Sequence, residues 1–203
     1  MSDHKLTRGD LYSLEKYAEI RDEFRARIIA HKKDRRLELG DNVILLFEDR
    51  LIMHYQVQEM LRAEKIFEAD SIQEELDAYN PLIPDGTNWK ATMMIQYPDV
   101  DKRQRMLAKL VGIENRVWVQ VEGHDKVYPI ADEDLERATE DKTSSVHFLR
   151  FELVPLMIGA LHEGAGVAAG VDHQNYTAIV DPVPDNIRSS LVDDLDPDAG
   201  ILQ

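Results

Sequence analysis

The sequence predicts an α+β fold in which helices pack on a mostly antiparallel sheet. Three observations lead there. Helical apolar stripes alternate along the chain with short β-branched and aromatic runs, and two of those runs flank a glycine turn of hairpin length. Strands separated by helices permit parallel pairing, but hairpins demand antiparallel pairing. The chain has 203 residues, 43% of them apolar, with ten glycines besides. That length suits one domain, and the composition suffices to fill a core.

The first element is a helix over Ser13 to Arg36, where Leu14, Tyr17, Phe24, Ile28 and Ile29 recur at helical spacing and Gly40 stands as a stop after Leu39. Val43 to Glu48 reads as a strand, and Glu48, Asp49 and Arg50 offer a turn into a second short strand at Leu51 to Met53. His54 to Glu68 places Val57, Met60, Leu61 and Phe67 on one helical stripe. Ser71 with Glu74 matches a capping box for a separate helix to Tyr79, closed by Asn80, Pro81, Pro84, Asp85 and Gly86.

Lys90 to Tyr97 is a strand, and Pro98 with Asp99 starts a helix through Val111 with Gly112 as its cap. Arg116 to Glu122 and Lys126 to Ile130 form the clearest hairpin, around Gly123, His124 and Asp125. Asp132 to Thr139 is expected as a short acidic helix, Val146 to Val154 as a strand, and Pro155 to Gly164 as a helix and its stop. Gly164 to Gly170 reads as flexible, Val171 and Tyr176 to Val180 as edge strand, and Asp185 to Leu195 as a last helix after the linker prolines Pro182 and Pro184. Residues 1–195 are thus expected to form one α+β domain. Residues 196–203 are expected to be an acidic, mobile tail, ending a segment from Asp181 with six aspartates against Arg188 alone.

A net charge of −15 disfavours nucleic acid and anionic membrane surfaces as partners. The absence of cysteine excludes disulfides, thiolate zinc sites, a cysteine nucleophile and an iron–sulfur cluster held by the chain's own thiolates. Met1 to Asp10 has no apolar signal region, and the run Leu153 to Leu161 is half the length of a membrane helix. A cytoplasmic protein is expected.

No Walker loop, H-E-x-x-H, G-x-S-x-G or E-x-x-H pattern occurs. Gly164, Gly166 and Ala169 fit G-x-G-x-x-A, but the preceding residues look helical and too little chain follows for a dinucleotide unit, so a glycine hinge is favoured and no cofactor site is assigned. Histidines and acids gather late in the chain. His147 and Glu152 share a strand, His162 and Glu163 end the next helix, and Asp172 and His173 follow the glycine segment. Imidazole and carboxylate suit zinc, iron or manganese. Without diagnostic spacing, structural histidines are the favoured reading and a divalent-metal site the alternative.

Arg21 and Glu64 each fall on the apolar stripe of a helix. An unpaired buried ion is costly, so these two are expected either to pair or to line a cleft, and pairing is favoured. Finally, Arg21 to Arg36 is locally basic, with Lys32, Lys33, Arg35 and Arg36 at its end. This face serves either to dock an acidic partner or to balance the chain's own acids in solvent.

The runs Leu45 to Arg50, Tyr55 to Arg62, and Gly86-Thr87-Asn88 followed by Lys90 to Met94 resemble a bacterial family catalogued as domain of unknown function 3501. Arg116 to Gly123, Asp141 to Glu152 and Gly170 to His173 are similar to the same family, so the resemblance covers nearly all of the chain but its acidic end. Such proteins are commonly encoded beside rubrerythrin-like and iron–sulfur proteins, which implies an accessory part in redox or peroxide metabolism. The family brings no established activity and no catalytic residues. The resulting expectation is a cytoplasmic accessory or binding protein that works with a redox partner carrying the iron centre. A small metal-dependent enzyme built on the His/carboxylate residues is the alternative.

Overall fold

The computed structural model describes residues 4–135, 137–139 and 141–197. Among these, nine strands form two antiparallel sheets accompanied by six helices, which is the α+β class expected. In chain order they are α1 (Leu14–His31), β1 (Arg36–Leu39), β2 (Val43–Phe47), α2 (Arg50–Ala63), α3 (Ala69–Tyr79), β3 (Asn88–Ile95), α4 (Val100–Lys109), β4 (Val117–Val121), β5 (Lys126–Val127), β6 (Ile130–Ala131), β7 (Val146–Glu152), α5 (Pro155–His162), β8 (Val167–His173), β9 (Tyr176–Val180) and α6 (Asp185–Val192). The first sheet runs β1-β2-β3-β7-β6 and the second β5-β4-β8-β9.

Period-two alternation gives the first sheet two different faces. Leu37, Leu45, Phe47, Trp89, Ala91, Met93, Leu149 and Phe151 enter the main core, together with Val117, Val119, Ala169 and Val171 of the second sheet and with Ile158, Leu161, Ile187 and Leu191 of α5 and α6. Trp89 is fully buried and donates its indole N–H to the Leu191 carbonyl at 2.8 Å, so its polar atom is satisfied where its large ring is dry. Helices α1 to α3 carry apolar clusters of their own. Ile52, Met53, Val57 and Leu61 pack with Leu76 and Ile83, and Tyr17, Phe24 and Ile28 pack with Leu51 and Tyr55. The outer face of the first sheet lies between this helical layer and the β6 edge, and the cleft described below opens on it.

Caps explain several helix starts. Asp49 accepts from the Ile52 N–H at 2.8 Å and Asp99 from the Lys102 N–H at 2.6 Å. Because Asp49 starts α2, Leu51 to Met53 are helical and not the second strand of a hairpin. The hairpin lies one element earlier. Arg36 to Leu39, expected as the end of the first helix, pairs with β2, because Leu37 and Leu39 alternate with Arg36 and Glu38 at strand period. Gly40, expected as a helix stop, makes this turn at φ +71, where a Cβ would come within 2.8 Å of the Tyr176 hydroxyl. That hydroxyl donates to the Leu39 carbonyl at 2.6 Å and accepts from the Asn42 N–H at 3.1 Å, fastening the turn to β9.

Three other expectations change. Helix α3 begins before Ser71, with Glu68 at its N-cap. No helix forms among the described residues of Asp132 to Thr139, since Asp132 takes φ 51 and its carboxylate is drawn to the Phe148 N–H at 2.9 Å. Much of Gly164 to Gly170 is strand β8. Gly170 is required there because a Cβ would meet the Ala178 carbonyl and the Trp118 ring at 2.5 Å. At the C-terminus, Leu195 is buried and Asp196, expected within the tail, donates its N–H to the Gly86 carbonyl at 2.9 Å. The rest of the expected tail, from residue 198, lies outside the described residues. No helix among the described residues is long and apolar enough to cross a membrane.

Candidate functional site

Strand register builds the floor of the cleft. The Glu48 N–H, just past β2, donates to the Lys90 carbonyl at 2.8 Å. Lys90 pairs with Arg150 of β7, and Arg150 with Ile130 of β6. Their strand neighbours Phe47, Ala91 and Leu149 face the core, so alternation turns Glu48, Lys90 and Arg150 to the outer face as one cross-strand row. Thr92 and Phe148 are paired in the next row. Above this floor is a cleft of about 1030 Å³, walled on one side by Pro81 to Asp85 and on the other by Ile130, Glu133 and Asp134.

Each charged group of the row is held differently. Lys90 Nζ donates to the carbonyls of Pro81 at 2.6 Å and Ile83 at 2.9 Å, tying the loop to the sheet. Burial pushes the Lys90 ammonium below its ordinary range; the Asp85 carboxylate opposes this and the Arg150 cation adds to it. Arg150 is clamped by Glu133, at 2.7 and 2.6 Å, and also donates to Glu152. Burial raises the Glu48 carboxyl above the usual carboxylate range, against a 2.7 Å hydrogen bond from the Thr92 hydroxyl. One cleft thus contains an amine that burial shifts down and a carboxyl that burial shifts up, perturbed titratable groups of the kind that gather at functional sites.

A second charge cluster lies between the end of α1 and α6. Arg35 is only 2% exposed, and its guanidinium donates to Asp194 at 3.1 and 2.5 Å, to the Glu48 carbonyl at 2.9 Å and to the Ser190 carbonyl at 2.8 Å. Asp49 lies 3.7 Å away and also contacts His31. All five guanidinium hydrogens have acceptors nearby, a structural arrangement with no room for a ligand. Of the basic run, Arg35 is therefore internal, whereas Lys32, Lys33 and Arg36 are exposed.

The profile of the family described as "Protein of unknown function (DUF3501)" matches residues 5–195. The chain belongs to this family. It is also similar to a crystal structure of a novel protein of unknown function from Burkholderia pseudomallei K96243, at 50% identity and a TM-score of 0.88, over 95% of this chain and 100% of that one. No curated protein matches the chain.

All but one of the late histidines and acids of this DUF3501 chain have partners of their own. His147 is fully buried; its Nδ1 lies 2.6 Å from Asp132 and its Nε2 2.8 Å from the Thr143 hydroxyl, with Glu114 at 3.9 Å. Asp, His and Thr stand in the order of a catalytic triad, but Thr143 is itself buried and does not line the cleft. Glu152 accepts from Asn88 at 3.0 Å, and His162 Nε2 lies 3.2 Å from the Leu195 carbonyl. Glu163 is exposed at the end of α5. Asp172 accepts from the Tyr128 hydroxyl at 2.7 Å, and His173 Nε2 lies 3.1 Å from the Val111 carbonyl. Among the described residues, no three His, Cys, Asp or Glu side chains are grouped to hold a metal ion. The candidates sit near one another in sequence and apart in space.

Arg21 is partnered by Glu59, not by Glu64. Its Nε and Nη2 donate to the two Glu59 oxygens at 2.8 and 2.7 Å, while Tyr17 donates to the same carboxylate at 2.6 Å. Glu64 is the exposed C-cap of α2. Gly164 ends α5 at φ +103, Gly166 precedes β8 and Ala169 lies within β8. No helix follows the glycines as a dinucleotide site requires. Glu48, Lys90 and Arg150 were not singled out by sequence reasoning. Their signal was a lone charge within or at the end of each of three apolar strand runs.

Proposed function

We propose that this chain is an accessory binding protein that takes up a small organic molecule in the cleft over the first sheet. The observation that carries the reading is the cleft itself. About 1030 Å³ suffices for a drug-sized or cofactor-sized molecule. Its lining joins apolar surface from Leu82, Ile130 and Phe148 to polar groups that include Glu48, Lys90 and Arg150 on its floor, a mixture by which small-molecule sites gain affinity and fix orientation.

The family resemblance supplies the partner class, a rubrerythrin-like or iron–sulfur redox protein. On this reading the iron chemistry resides in the partner, because a chain without cysteine offers no thiolate to a cluster. Both work in the cytoplasm. The metal-enzyme alternative lacks comparable support, since five of its six candidate ligands have separate partners and the sixth, Glu163, is exposed at the end of α5.

The test is a fragment screen on the ¹⁵N-labelled protein. Compounds that bind should shift the amides of Ile83, Lys90, Phe148 and Arg150 together. Binding confined to other surfaces, with these four amides unmoved by every compound, would overturn the reading.

A further inference from the structure

We propose that β9 is the edge through which this protein associates with itself, joining a second copy of the chain strand to strand across a two-fold axis at Ala178. β9 belongs to the second sheet, so this edge is separate from the cleft. The two sheets end in β1 and β6 and in β5 and β9. A free edge offers a row of backbone N–H and C=O groups to any other strand, and proteins blunt it with charge, with proline or by keeping it short. β5 and β6 are two residues each, and β1 carries the exposed Arg36 and Glu38, paired at 2.9 Å. β9 has none of these devices. It runs five residues as Tyr176-Thr177-Ala178-Ile179-Val180, uncharged and rich in strand formers. Ile179 is 64% exposed.

The hairpin register fixes which backbone groups are on offer. β8 and β9 are joined by the two-residue turn Gln174-Asn175, so His173 and Tyr176 form a hydrogen-bonded pair and the pairs alternate from there. Tyr176, Ala178 and Val180 therefore turn their backbone groups to β8. Thr177 and Ile179 turn theirs outward, where no backbone partner meets them among the described residues. A second β9, antiparallel about Ala178, satisfies all of them at once. Thr177 then stands opposite Ile179 of the partner subunit and Ile179 opposite the partner's Thr177, each pair exchanging both its bonds.

The strand is self-complementary in this register. Copies of a chain with net charge −15 repel one another, and an uncharged strand lets them meet with no like charges face to face at the axis. Ala178, the smallest side chain of the strand, lies on the axis, where paired strands come closest. The β-branched Thr177 and Ile179, exposed on one chain, cover each other across the two strands. Just past β9, the exposed Asp181 comes opposite Asn175 of the partner subunit and not opposite its own image. Asn175 donates its side-chain amide to the Lys109 carbonyl at 2.7 Å, so the acid arrives beside the basic end of α4.

The test is sedimentation equilibrium of the full chain over a range of concentrations. A single strand pair buries less than the roughly 1,200 Å² of a standard interface, so the parent should be dimeric at about 100 µM and dissociate on dilution. Ile179→Lys enters the two-fold interface twice, so a loss of about tenfold at each site weakens the dimer about a hundredfold. Its melting curve should match that of the parent, because Ile179 is exposed; Thr177→Lys, equally exposed, is read in its place if the first variant unfolds. The chain has no cysteine, so register can be read by cross-linking. Thr177→Cys and Ile179→Cys chains should form disulfide-linked dimers when mixed, and far fewer when each is oxidised alone. A parent that stays monomeric at about 1 mM would overturn the proposal, whether or not an extended foreign peptide shifts the β9 amides. So would a dimer that the lysine variant leaves intact, or one that cross-links no better from the mixture.

Discussion

Arg35 and Asp194, 159 positions apart in the chain, form a two-pronged ion pair at 3.1 and 2.5 Å that locks the turn between α1 and β1 to the turn after α6. With Arg35 2% exposed and Asp49 3.7 Å from it, removing the arginine leaves two carboxylates in a dry site. Arg35→Met should therefore destabilise by about 3 to 5 kcal/mol in urea denaturation, and adding Asp194→Leu should restore part of the loss, since breaking a buried pair costs more than replacing it. Strictly additive losses would show that the two residues do not depend on one another.

The Arg21–Glu59 contact makes a prediction about acid. The hydrogen bond from Arg21, and secondarily that from Tyr17, holds the Glu59 carboxyl at about 2, below its ordinary 4.5. A folded-state value below the unfolded one contributes stability that is fully present above about 4.5 and lost as pH falls toward 2. Glu59→Gln should flatten the thermal midpoint against pH in that window, and Glu64→Gln should leave the curve as it is.

His147 tests the buried triad. His147→Ala removes a fully buried ring and orphans the Asp132 carboxylate and the Thr143 hydroxyl, so a loss of about 3 kcal/mol or more is expected from the cavity and the unsatisfied groups together. Unfolding followed by tryptophan fluorescence measures it. A variant as stable as the parent would mean that the ring is not the keystone of this corner.

The basic turn between α1 and β1 tests the partner. Exposed charges steer association and are screened by salt. Reversing Lys32, Lys33 and Arg36 while keeping Arg35 should weaken binding to a rubrerythrin-like partner at low salt and leave the melting curve unchanged. Equal binding by the parent and the reversed protein would assign these charges to solvation alone.

Local signals were read well where one side chain decides the structure. Asp99 starts α4 as a cap, Gly123 turns the β4–β5 hairpin at φ +79, and Pro155 opens α5. Reading failed where the decision is tertiary. Arg36 to Leu39 follows the helix with no stop signal before Gly40, and its brief alternation becomes strand because β2 is there to pair with it. Arg21 lies on the stripe where a partner was expected, but Glu59 within α2 and Glu64 at its end were both on offer, and only the crossing of α1 and α2 selects the first. The candidate site was the least legible. Glu48, Lys90 and Arg150 come from three distant segments, and strand order and register, which no local pattern encodes, make them neighbours. For the histidines from His147 to His173, closeness in sequence says nothing of closeness in space, and each meets a different partner.

Lys90 carries the functional claim, and its amine can be observed directly. In protein labelled with ¹³C at the lysine ε-carbon, the Lys90 resonance should titrate below the ordinary value of 10.5, apart from the exposed lysines, and should move selectively when a molecule enters the cleft. A Lys90 signal that titrates with the surface lysines and stays fixed while compounds bind would contradict the account.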